Sequence, residues 1–454
     1  MTQQPSLTEK LAQRLQRPVD HAARQRAAEL VVDWLGCALG ALAYPLAKQL
    51  TPLVAGSGHG AAVSLGAGTH AVADTLLLNA ALGNVLEMDD VHRGAILHPG
   101  PVVIPVALAA AQQAGGNGHD LLDAVVRGYE ATICVGRALG RGHYRYWHPT
   151  STAGAFGAAA AAASVLGLDA EQIADALGTA GSRTGGLWQM RHEPVPTKSL
   201  HNAQAAQAGW QAAVLAQAGL RGPRHILEGE QGLFAATAPD AQPERVIGED
   251  ADWLIHTTSL KPWPACRHAH PAIDALLDAL AQLPIERRAQ VEQVQVDSYA
   301  EALRFCDRPT PTTELEAKFS LQHALASILV HGRPQLAHYS VAACADPAVV
   351  ARRAHISCSE GEDFNARFPA HYGACVRVTL ADGSQFSAER VDAWGDPECP
   401  MDAAAVTHKA LALAHWGQVP DALADALFVQ VRALAEGGTL DALNDLLAQV
   451  TPCN

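Results

Sequence analysis

Apolar residues recur at three- and four-residue spacing through the first half of the chain. The segments 22–42, 72–88, 102–114, 121–139, 153–166 and 203–218 each carry this period and predict helices. Alanine and glycine dominate them, so facing helices can approach closely, and Gly115-Gly116 and Gly185-Gly186 mark turns. Asp169 with Gln172 reads as a capping box opening a further helix. The pattern changes near Lys261-Pro262-Trp263-Pro264. Beyond it come a helix over 271–281, a strand over 291–299 and a helix over 317–331. An alternating strand over 375–380 follows, then the turn Ala381-Asp382-Gly383-Ser384 and a returning strand over 385–391. From residue 402 the helical period resumes in 404–416, 423–434 and 440–450. The expected fold is mainly α, with a large all-helical domain built from both chain ends, 1–260 and 401–454. A smaller α+β domain, 261–400, is inserted between them.

Length and charge narrow the function. A chain of 454 residues can bury a large core and exceeds what one core usually serves. A formal net charge of −14 argues against nucleic acid and against an anionic membrane as partners, because both need a dense basic face. A small anionic ligand stays open, since the field in a cleft follows its lining more than the total charge. The nine cysteines include no C-x-x-C pair and read as reduced thiols. With no signal-like start, and with apolar runs such as 153–166 too short for a bilayer, the expectation is a cytoplasmic protein.

Polar groups concentrate where the helical period breaks. One segment holds Glu87, Asp89, Asp90, His92, Arg93 and His98; a second runs from Tyr144 through His148 to Thr152. A third covers Gln189 to His192 and Thr197-Lys198-Ser199-Leu200-His201-Asn202. The fourth runs from Lys261 through Cys266, Arg267 and His268 to Pro271, and the fifth from Ala317 to His323. Each alone has a plain reading as a cap, a buried histidine or a solvated charge. Together they place cations and imidazoles at five breaks of one scaffold, where such groups are costly unless they pair or bind. The spacing of His92, His98 and Asp90 fits no usual zinc pattern, so no metal is expected. Neither a dinucleotide fingerprint nor a phosphate loop occurs, and cofactor-free chemistry is expected.

These blocks carry a resemblance. Residues 79–90, His98-Pro99-Gly100, residues 147–154, Gly229-Glu230-Gln231-Gly232, residues 261–268 and Ala317-Lys318-Phe319-Ser320 resemble, in order, the MmgE/PrpD family. That family includes 2-methylcitrate dehydratase, cis-aconitate decarboxylase and iminodisuccinate epimerase. The resemblance covers nearly the whole chain and implies a helical domain with a smaller inserted lid domain, in a homodimer. It places the acid/base histidine on His98, a second site histidine on His148 and two pocket lysines on Lys198 and Lys261. His323 falls where the decarboxylase has tyrosine. Glu87 stands where the family usually has Asp, and Val91 where Thr is common.

The implied chemistry moves a proton beside a carboxylate of a small di- or tricarboxylate. Lys198, Lys261, Arg267, His268 and His323 would bind the substrate, while Asp90 or Glu87 would orient His98. Glu87 carries its carboxylate a methylene further out and Val91 lacks a hydroxyl, departures that count against a cis-aconitate decarboxylase; the expected activity is 2-methylcitrate dehydratase-like or iminodisuccinate epimerase-like. The competing expectation is a family member that binds a carboxylate metabolite without turnover.

Overall fold

The computed structural model describes residues 4–193, 195–248 and 250–453. Two compact units divide the chain: Met1–Thr258 with Asp402–Asn454, and Ser259–Met401.

Alanine and glycine set the helix spacing of the larger unit. Every residue from Gly154 to Ala163 in the helix Gly154–Val165 is buried. Gly157 abuts Thr132 of the helix Gly118–Gly136, and Gly209 of the helix Thr197–Gln217 abuts Ala158; a Cβ at either glycine would overlap its neighbour. Val102, Val103, Ile104 and Val106 of the helix Gly100–Ala114 are fully buried, each contributing about 1.5–3 kcal/mol by leaving water. The returning end of the chain joins this core, because Gly36 of the helix His21–Gly40 lets Ala410 of the helix Ala403–Trp416 sit directly on it.

The unit departs from an all-helical pattern in one hairpin. Strands β1 (His59–Ser64) and β2 (Gly68–His70) pair antiparallel. They are too short and polar to show in the sequence pattern, and side chains complete their bonding. Val63 N donates to Gln112 Oε1 at 2.9 Å and Leu65 N to Asn79 Oδ1 at 3.0 Å. The helix expected over 72–88 ends at Leu82. Gly83 lies against the Trp34 indole, where no side chain fits, and Glu87 turns the backbone to a φ of 58°.

In the smaller unit one mixed sheet has the order β4-β3-β5-β6, with β3 Val291–Ser298, β4 Ile356–Glu360, β5 Ala374–Leu380 and β6 Gln385–Arg390. Strand β3 runs parallel to β4 and antiparallel to β5, and β5 and β6 form the expected hairpin. Ala374, Val376, Val378 and Leu380 alternate into the core, which the helices His270–Ala281 and Leu321–His331 share. The helix expected over 317–331 is broken, because Ser320 caps the second part by accepting from His323 N at 3.0 Å. No single helix among the described residues is long and apolar enough to cross a membrane.

Candidate active site

The loop from Gly83 to Pro99 in the larger unit is fixed from behind by a buried ion pair. Lys409 Nζ lies 2.5 Å from Asp33 Oδ1 and donates to the Met88 carbonyl at 2.6 Å. Losing either partner would strand a charge in the core.

His98 is the best-oriented imidazole of the loop. Its Nδ1 lies 2.7 Å from the Asp90 carbonyl oxygen and 3.0 Å from Asp89 Oδ2. Both neighbours are acceptors, so Nδ1 carries a hydrogen. Asn84 Nδ2 donates to the same Asp89 oxygen at 2.7 Å, and the His98 amide donates to Thr150 Oγ1 at 3.0 Å. The His98 side chain stays 17% exposed.

The carboxylate facing His98 is therefore that of Asp89, which the sequence reading left outside its candidate set. Asp90 contributes its carbonyl, and its carboxyl turns the other way, accepting from Gly100 N at 3.0 Å. Burial, then the neighbouring Asp89 and Asp33, push the Asp90 carboxyl up to about 7. Glu87, in its left-handed conformation, pairs with the Lys198 ammonium in the first turn of Thr197–Gln217.

His148 sits at the start of the short helix Pro149–Thr152, where its amide donates to the Gly186 carbonyl at 2.9 Å. Gly186 has a φ of 111°, and a Cβ there would press on Ser151 and on the His201 ring. The His148 ring lies 4.4 Å from Trp188 between centroids and places Nδ1 3.3 Å from His201 Nδ1, while its buried Nε2 has no hydrogen-bond partner among the described residues. Burial first, then Lys198, His201 and His98, hold His148 well below the ordinary histidine range. His201 was also missed, although it stands one helical turn after Lys198 and therefore on the same face.

His92 is a strut. Its Nδ1 accepts from Ala95 N at 3.1 Å and its Nε2 donates to Thr257 Oγ1 at 3.1 Å, since Thr257 spends its own hydrogen on Leu254 O. Burial, then Arg137 and Arg93, lower it to about 3.

The smaller unit holds the other four candidates. Lys261 is buried. Arg267 pairs with Asp396 at 2.5 Å, with His270 Nδ1 3.0 Å from its other terminal nitrogen. His268 stacks between Phe305 and Tyr372 at 5.1 and 5.2 Å, with Nδ1 2.6 Å from the Tyr299 hydroxyl, so its ring is built into an aromatic cluster. His323 is fully buried and donates from Nε2 to the His338 carbonyl at 2.8 Å. Metal-type ligands converge at His371, Asp392 and Glu398, within 4.8 Å of one another. His371 Nδ1 hydrogen-bonds the Asp392 carboxylate at 2.9 Å.

The larger unit thus gathers a carboxylate-backed imidazole, a second, buried imidazole and an ammonium, which suits proton transfer beside a negative charge. Comparison with known proteins agrees in kind. The MmgE/PrpD N-terminal domain matches residues 6–246 and the MmgE/PrpD C-terminal domain matches 263–431. Human cis-aconitate decarboxylase is 28% identical over 321 residues, 66% of this chain and 64% of that protein's length. The cis-aconitate decarboxylase of Aspergillus terreus is 25% identical over 448 residues, 93% of this chain and 90% of its own. The 2-methylcitrate dehydratase of Cupriavidus necator is 26% identical over 394 residues, 80% and 79% of the two chains. With both domains matched in order, the chain belongs to the MmgE/PrpD family.

Proposed function

We propose that this chain is a cofactor-independent lyase or isomerase acting on a small di- or tricarboxylate. The observation that carries the reading is the His98 ring, whose Nδ1 is held by Asp89 and the Asp90 carbonyl so that Nε2 is delivered as a base. The names of the relatives, decarboxylase and dehydratase, support a lyase.

In the dehydratase form, His98 Nε2 takes a proton from the carbon beside a carboxylate. The electron pair moves onto that carboxylate, where the Lys198 ammonium meets the growing charge. The imidazolium formed is stabilised by Asp89, as a buried carboxylate stabilises a catalytic imidazolium elsewhere. The neighbouring C–O bond then breaks as the C=C bond forms, and His98 returns the proton to the leaving oxygen as water. Reprotonation of the carbon on its other face gives an epimerase instead. Lys261 is proposed as a further carboxylate ligand. A cytoplasmic homodimer is proposed on the family pattern, with the nine free cysteines favouring a reducing compartment.

One observation favours the second reading, binding without turnover. Glu87 already occupies the Lys198 ammonium, as a substrate carboxylate would. Incubation with 2-methylcitrate, citrate and cis-aconitate, followed by ultraviolet absorbance of a conjugated alkene, separates the two. A change in absorbance supports the lyase; ligand-induced thermal stabilisation with flat absorbance across the series, and no deuterium uptake from heavy water, supports the binder.

A further inference from the structure

His201 has no part in the chemistry so far, yet its ring is the hydrogen-bonding neighbour of His148. Two imidazole Nδ1 atoms 3.3 Å apart can share one hydrogen, and two hydrogens would clash. His148 is 1% exposed and His201 7%, so His148 is the more enclosed ring. Its buried Nε2 has no partner among the described residues. A lone pair is cheaper to leave there than an N–H, which places the shared hydrogen on His148 Nδ1, donating to His201.

We infer that His148 and His201 form a proton relay, with His201 as the positioning residue that makes His148 a base at Nε2. When Nε2 receives a proton, its new N–H bond forms as the Nδ1–H bond breaks and a bond forms at His201 Nδ1. One positive charge moves to the less enclosed ring, with no other change in bonding. The inference rests on the reading that this site moves protons beside a carboxylate. The charged and titratable groups facing the pair are Lys198, His98 and Asp89 at His148, and Lys198 at His201. Lys198, itself paired with Glu87, opposes charge on both rings, so a further carboxylate brought by the substrate would favour the relay. Gly186 preserves the geometry by leaving room for the His201 ring.

The test has two arms. In the first, His201→Gln keeps a polar side chain that cannot hold the charge, and His201→Ala leaves room for added imidazole. The relay requires kcat to fall about 100-fold in both with KM within about twofold, a displaced acid limb of the pH profile, and partial rescue of His201→Ala by imidazole. Unchanged kcat and pH profile in His201→Gln overturn it. In the second, nitrogen-15 histidine spectra of the full chain are compared with those of His148→Gln and His201→Ala. The relay requires a downfield Nδ1 proton on His148 that His201→Ala abolishes, and a wild-type His148 protonated at Nε2 overturns it. That arm needs no turnover, so inactivity toward every acid with the Nδ1 proton present refutes the proposed chemistry while leaving the pair intact.

Discussion

Asp89 Oδ2 stands 3.0 Å from His98 Nδ1, whereas the carboxyl of the adjacent Asp90 points to the start of the helix Gly100–Ala114. Two neighbouring carboxylates therefore have different tasks. Asp89 orients and charge-compensates the imidazole, and Asp90 ties the loop to the helix end.

Asp89→Asn should lower kcat by about 10³-fold, because the amide can present its NH₂ to Nδ1 and reverse the histidine tautomer. Steady-state kinetics alongside circular dichroism will show it; a variant with normal turnover would remove Asp89 from the mechanism.

Lys198→Met should raise KM for a carboxylate substrate about 10- to 100-fold, the loss of one charge-assisted contact. Glu87→Gln should lower it by releasing the ammonium from its internal partner. Opposite shifts in calorimetric affinity support the clamp, and equal shifts in one direction contradict it. Lys261→Ala should also raise KM with little change in kcat.

Lys409→Met leaves Asp33 buried without its cation and should cost about 3–5 kcal/mol in urea unfolding. Asp33→Leu with Lys409→Met should recover much of that stability. The double variant should remain poorly active, since the Met88 carbonyl has lost its anchor.

His92 gives the protein an acid-sensitive strut. Its folded value of about 3 lies below the ordinary histidine value, so between the two the unfolded chain binds more protons and stability falls as pH falls. The loss is about 1.4 kcal/mol per pH unit inside that window. Asp90, raised to about 7, works oppositely: its contribution is present at low pH and is lost as pH rises toward 7. His92→Asn should subtract about 1.4 kcal/mol per pH unit from the slope of unfolding free energy between pH 6.5 and 4.5, leaving the opposite-signed Asp90 contribution, and a slope equal to wild type would count against the buried neutral ring.

Much of the fold was legible because its helices bury one face at a regular period and its β5–β6 hairpin alternates around Asp382-Gly383. What stayed hidden was short or set by distant partners. The β1–β2 hairpin depends on Gln112 and Asn79, and β4 is recognisable only beside β3. The polar breaks pointed to Glu87, His98, His148 and Lys198, which gather in the larger unit. Adjacent Asp89 and Asp90 could not be told apart without the backbone turn at Glu87. His201 was available as the residue one turn beyond Lys198. The partners of Arg267 and His268, Asp396 and Tyr299, lie too far along the chain for local spacing to reveal.

The most direct test of the central claim is proton NMR of the purified protein in heavy water with citrate-like, aconitate-like and iminodisuccinate-like acids, using His98→Ala as the control. The account expects deuterium to enter at the carbon beside a carboxylate, or a new alkene signal, in wild type only. Equal exchange in the folded His98→Ala variant, or none in wild type with any of these acids, would contradict it.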